Sequence, residues 1–190
     1  MVLTLPDTRD TTTITVETTD KPIDKLLGKE WLLTNERGGY SSSTIVGCNT
    51  RRYHGLLVGS LNPPGGRIVG LAHCLEMIIC SSRIQGADRV GHSNAARVYE
   101  LSTFEFDDRF APEGFRMASG FRQDTGVHFD YKTEHFCLTK SVYLLRNSDT
   151  VGLVYQFKEV AEPLEFVLRP FVALRDFHTL QKSYARLCCA

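Results

Sequence analysis

The feature that most constrains this chain is a period of two. Val127, Phe129 and Tyr131 alternate with His128 and Asp130, Val151, Leu153, Tyr155 and Phe157 keep the same spacing, and Leu164, Phe166 and Leu168 follow. Successive side chains of a strand point to opposite faces, so this pattern describes strands with one buried face. A helix needs apolar residues three and four apart, and such signals are sparse here. Residues 42–48, 54–60, 67–73, 75–80 and 136–145 are further short runs rich in aliphatic, β-branched and aromatic side chains. Asn62-Pro63-Pro64-Gly65-Gly66 combines the fixed φ of proline with the free φ of glycine and predicts a tight reversal. Asn147-Ser148-Asp149 is a second turn signal. Many short strands with turn punctuation predict an all-β fold, an antiparallel sandwich. Residues 86–126 mix charges, aromatics and glycines and predict hairpins with long polar loops. The Thr-rich residues 1–25 are expected to be a flexible segment, and residues 26–190 one β-sandwich domain.

Composition narrows the function. Lys+Arg and Asp+Glu are 22 each, so the formal charge is zero and the broad basic field of a nucleic-acid binder is missing. No nucleic-acid partner is expected. The 42% hydrophobic and 23% charged content suits a globular chain, and 190 residues bury enough surface to fold without disulfide staples. No apolar stretch approaches the ~20 residues of a membrane helix, and residues 1–20 lack the apolar core of a secretory signal. The cysteines are Cys48, Cys74, Cys80, Cys137, Cys188 and Cys189, with no C-x-x-C pair, and no N-x-[ST] acceptor occurs. A reduced, cytoplasmic protein without membrane contact is the expectation.

The densest functional segment is 35–55, NERGGYSSSTIVGCNTRRYHG. Gly38-Gly39 allows a turn or a close approach to a ligand. Arg51 and Arg52 bring planar donor forks, Tyr53 an aromatic face with a hydroxyl, and His54 a titratable ring. Strand alternation would send Arg51 and Tyr53 to one side and Arg52 and His54 to the other, so only one pair could face a given ligand. The plain alternative is two exposed arginines and a satisfied histidine. In residues 169–178, Arg175, Asp176 and His178 form either a polar site or a loop salt bridge.

Catalytic carboxylates of glycosidases sit ~5–9.5 Å apart across a cleft. Asp107-Asp108 are adjacent, Glu162 and Glu165 flank Pro163, and neither pair has an apolar surround to raise one pKa. No catalytic residue is assigned within the chain. His73-Cys74 with Cys80 is the nearest approach to a metal cluster but reads as strand, so no metal is expected, and no cofactor. Phosphate-loop, dinucleotide and nucleophile-elbow motifs are absent. Cys188-Cys189 are too close for an ordinary disulfide.

Glu30-Trp31-Leu32-Leu33-Thr34-Asn35, then Gly38-Gly39-Tyr40, then Thr50-Arg51-Arg52-Tyr53-His54-Gly55-Leu56-Leu57-Val58 resembles the N-terminal domain of the bacterial and archaeal type of glycogen debranching enzyme. The order continues with Leu61-Asn62-Pro63-Pro64, Arg67, Glu100-Leu101-Ser102-Thr103, and Leu168 through His178, so the resemblance spans residues 29–179. Glu36 departs from it, since the family usually has glycine after the asparagine. So does the end of the chain, where the family continues with further strands and an (α/α)6 barrel.

The resemblance implies a large sandwich of the supersandwich type seen beside glucoamylase-like barrels, here truncated at its C-terminus. It implies amylo-α-1,6-glucosidase as the parent activity, the hydrolysis of α-1,6-linked glucose at glycogen branch points. The acid and base lie in the barrel, which this chain lacks, and the N-terminal domain is the accessory part that helps to position substrate. Substrate-binding candidates by that resemblance are Asn35, Arg51, Arg52, Tyr53, His54, Arg175, Asp176 and His178.

The expected partners are an α-glucan or glycogen oligosaccharide, and either a barrel-bearing catalytic domain or a second copy of the chain. A sandwich cut short leaves unpaired backbone groups and an apolar face to be covered. Three alternatives stay open. One is a stand-alone α-glucan-binding module, in which Trp31 looks buried but the tyrosines are available. Another is a mutarotase-like enzyme with His54 or His178 as acid and Glu76 or Glu100 as base. The last is a gene remnant with no activity.

Overall fold

Alternating runs pair into antiparallel ladders in the computed structural model, which describes residues 12–80 and 96–180. Strand β1 (Ile14–Glu17) leads through a short helix, α1 (Ile23–Leu27), to β2 (Glu30–Thr34), β3 (Tyr40–Thr44), β4 (Gly55–Asn62) and β5 (Gly65–Cys80). Then come β6 (Arg97–Glu100), β7 (Thr103–Phe106), β8 (Arg109–Glu113), β9 (Ala118–Gln123) and β10 (Val127–Lys132). β11 (Cys137–Leu144), β12 (Val151–Lys158) and β13 (Leu164–Asp176) complete the described strands. One sheet has the order β1-β9-β10-β11-β12; the other runs β2-β3-β4-β5-β13, with β6 also paired to β5, and β7–β8 form a separate hairpin. The result is the expected all-β sandwich.

The core lies between the two sheets and is built from the buried phase of each strand. Trp31 and Leu33 of β2 meet Phe129 and Tyr131 of β10, Phe121 of β9, and Leu138 and Val142 of β11. Trp31 is 2% exposed, packs edge-on against Phe129 and donates its indole N–H to the Thr44 carbonyl at 3.0 Å. The same alternation leaves Glu30, Leu32 and Thr34 on the outer face of β2.

Some elements differ from expectation. Runs 67–73 and 75–80 are one continuous strand, β5, because nothing at Cys74 breaks the chain. β13 lies along nearly all of it, while the other edge is shared by β4 and, further along, β6. Run 42–48 stops being a strand at Thr44. Its hydroxyl accepts the Cys48 N–H at 3.0 Å and donates to the Cys48 carbonyl at 2.9 Å, closing a buried turn in which Gly47 takes φ +71°. β13 continues past Pro170 because it ends its sheet, where a missing N–H breaks no ladder. Residues 86–95 and 1–11, and Cys188 and Cys189, lie outside the described residues. The segment expected to be flexible up to residue 25 is part of the fold from Ile14 on: β1 pairs with β9, and Leu26 of α1 is 1% exposed.

β12 and β13 end their respective sheets on the same side, with Phe166 against Tyr155 and Phe157 at centroid distances of 4.8 and 5.5 Å. Beyond Phe166 the interior face of β13 is left partly exposed by the described residues. Leu168 and Val172 pair with the inward-facing Glu76 and Leu71 and so point inward, yet they are 41% and 59% exposed.

Candidate functional site

The outer phase of β2 and β3 forms the floor of a pocket of about 450 Å³, with Leu32, Thr34, Tyr40 and Ser42 beneath and Arg51, Tyr53 and His54 as a wall. That wall is a turn and not a strand, since the His54 N–H donates to the Arg51 carbonyl at 3.0 Å. The strict alternation expected of Arg51 through His54 therefore fails: Arg51, Tyr53 and His54 all line the pocket, and only Arg52 turns away.

Glu30, the first residue of β2, receives Arg51 Nε at 2.6 Å. His54 is 3% exposed, and its Nδ1 accepts the Thr50 N–H at 3.2 Å, so the neutral ring carries its proton on Nε2. That Nε2 lies 3.6 Å from Glu30 Oε1, beyond hydrogen-bond reach, and has no hydrogen-bond partner among the described residues. Burial holds the His54 pKa below the ordinary histidine value; Glu30 opposes the shift and Arg51 adds to it. Tyr40 donates its hydroxyl to the Tyr53 carbonyl at 2.8 Å and fixes the turn over the floor.

The second motif closes onto the first from the C-terminal end of β13. Arg52 Nη1 donates to the His178 carbonyl at 3.0 Å across 126 positions of sequence, and the Tyr53 hydroxyl lies 3.4 Å from His178 Nδ1. Arg175 is spent on carbonyls, donating to Arg52 at 2.6 Å, Thr179 at 2.7 Å and Asp176 at 3.2 Å. Asp176 Oδ1 accepts the His178 N–H at 2.8 Å and shapes the turn. Arg67 donates Nε to the Gly38 carbonyl at 2.8 Å and places its guanidinium 5.8 Å from the Phe177 ring centroid.

Asn35 stands apart from both clusters. Its Oδ1 accepts N–H groups from Arg37 at 3.1 Å and Gly39 at 2.8 Å, and its Nδ2 donates to the Ser148 carbonyl at 3.1 Å. The close approach that Gly39 allows is to Asp149 of the same chain, whose Oδ1 would lie 2.8 Å from an added Cβ. Glu36 bonds Arg146 Nη2 at 2.6 Å and ties the same two turns together.

Glu30, Thr34, Tyr40 and Arg67 line the pocket without having been singled out from sequence as ligand residues. The signal was present for Glu30: it opens the Glu30–Asn35 motif in the outward phase opposite Trp31. The acid–base pairings imagined for a mutarotase do not form around Glu76. It is 1% exposed and held in the core by Lys140 Nζ at 2.5 Å, the Tyr155 hydroxyl at 2.8 Å and Ser102 Oγ at 3.1 Å. The carboxylate beside His54 is Glu30. Among the described residues no group of three or more potential metal ligands converges, and no helix is long and apolar enough to cross a membrane.

Fold and site define an antiparallel β-sandwich domain with a pocket on one outer sheet face, walled by Arg51, Tyr53 and His54. The chain belongs to the glycogen debranching enzyme N-terminal domain family: the family model described as "Glycogen debranching enzyme N terminal" matches residues 29–187. Neither the curated proteins nor the solved structures include a significant match to it.

Proposed function

We propose that this chain is the substrate-positioning part of a glycogen debranching enzyme. It would bind α-glucan on the outer face of β2 and β3, while a catalytic barrel supplies the acid and base that hydrolyse the α-1,6 bond. The observation that carries this reading is the bonding of Arg52 to His178 and of Arg175 to Arg52 beside the pocket. Two motifs far apart in sequence are thereby joined into one surface. Arg51 and Tyr53 face the ligand, Arg52 and His178 form an exposed rim, and Arg175, Asp176 and Asn35 hold the loops that carry them. A cytoplasmic location belongs to the same proposal. Electrophoresis of the folded chain through native gels containing glycogen tests it: retarded migration is expected, and migration unchanged by glycogen would contradict it.

One observation favours a stand-alone glucan-binding module as the second reading. Phe104 lies 6.2 Å from Phe106 and 5.8 Å from Phe171, and the latter two rings are 61% and 43% exposed, a ledge on which sugar C–H faces stack. In that case Phe106→Ala, and not a change at Arg51, would abolish the retardation.

A further inference from the structure

We propose that Glu30 is the hydroxyl-reading group of the pocket, which takes a neutral pyranose by a pair of adjacent ring hydroxyls placed between the Glu30 carboxylate, the Arg51 guanidinium and the His54 Nε2–H. This rests on the glucan-positioning reading and adds Glu30 to the substrate-binding candidates drawn from the sequence.

A carboxylate only accepts hydrogen bonds, whereas guanidinium and the neutral imidazole N–H only donate. Two neighbouring hydroxyls can donate to the first and accept from the others, so the trio fits a vicinal diol. It fits an anion poorly, because Glu30 already neutralises Arg51 at 2.6 Å and would repel a second negative charge. The His54 Nε2–H supports the same reading. A buried donor without a partner is rare in folded proteins and costs stability, and this one belongs to a ring 3% exposed that lines the pocket. A hydroxyl entering between it and Glu30 Oε1, 3.6 Å away, satisfies both. Around this polar corner the lining includes Leu32 and the ring of Tyr53, which suit the C–H face of a sugar, and about 450 Å³ lies within the range of small-ligand pockets. His54 is a positioning donor held by Thr50, and Glu30 and Arg51 are the groups that exchange their mutual contact for the ligand's.

Calorimetric titration of the whole chain with a branched α-1,6/α-1,4 glucan oligosaccharide tests this, run on the wild type, Glu30→Gln, Tyr53→Ala and, as an outside control, Glu165→Gln. Thermal melts establish that each is folded. The expected result is saturable heat for wild type and Glu165→Gln, and an affinity lowered about tenfold or more by Glu30→Gln, the loss typical of a hydrogen bond to a charged group. Tyr53→Ala, which removes the stacking face, should weaken binding as well. Saturable heat that is unaffected by either pocket substitution would overturn this inference and leave the glucan reading standing. No saturable heat from folded wild type would overturn both.

Discussion

At the scale of single residues, two sets of buried polar groups carry testable consequences. Glu76 and Lys140 form an ion pair between the sheets, closed by Tyr155 and Ser102. Replacing either partner alone by alanine leaves a buried charge without compensation and should cost about 3–5 kcal/mol in urea unfolding. The double change Glu76→Leu with Lys140→Met should recover most of that loss. His54 links stability to pH. Its folded pKa lies below the ordinary 6.5, so on acidification the unfolded chain takes up a proton that the folded chain does not. Stability from this residue is present above pH 6.5 and lost as pH falls through the folded value. The melting temperature should therefore drop as pH falls below the ordinary histidine value of 6.5, and His54→Gln should flatten that slope. Trp31 in the core was legible from its apolar run. The placing of His54 beside Glu30 was not, because it depends on a turn where alternation suggested a strand.

At the scale of elements, the β2–β3 turn is held by its own Asn35 and by the neighbouring β11–β12 turn. Asn35 accepts two backbone N–H groups and reaches the β11–β12 turn, where Asp149 fills the space left by Gly39 and Gly59. Asn35→Ala leaves these groups unpaired and should destabilise the chain by about 1–3 kcal/mol in denaturant unfolding. Because the same turn borders the pocket through Gly38 and Gly39, the change should also weaken glucan binding without touching a ligand group. Strands were legible wherever a run alternated cleanly, as in β10, β12 and the first half of β13. The continuity of β5 and the end of β3 at Thr44 were not. Those depend on neighbours supplied by β13 and on a hydroxyl that bonds four residues onward.

At the scale of the whole molecule, the described residues leave the sandwich open along β12 and β13. Inward-pointing Leu168 and Val172 remain exposed, and among the described residues β13 pairs on one side only, with β5. We expect the 190-residue chain to self-associate through this edge or to be captured by a barrel-bearing partner. Sedimentation velocity over a concentration series should show reversible dimers, and Val172→Lys should shift them toward monomer. A sharp monomer at every concentration would count against self-association. The sandwich architecture was readable from the period of two, but the order of strands was not, since no local pattern says that β1 pairs with β9 or β13 with β5. The site was legible as two motifs and not as a pocket, for its parts meet only when the C-terminal end of β13 reaches the turn before β4.

The central claim is that the outer face of β2 and β3, walled by Arg51 through His54, receives α-glucan. Amide chemical shifts of the isotope-labelled chain, followed as a branched glucan oligosaccharide is added, test it most directly. Saturable shifts are expected in Glu30–Thr34, in Tyr40–Thr44 and in residues 50–55, with the β1-β9-β10-β11-β12 sheet unmoved. Saturable shifts confined to the Phe104–Phe171 ledge, or none at all from a folded sample, would contradict it.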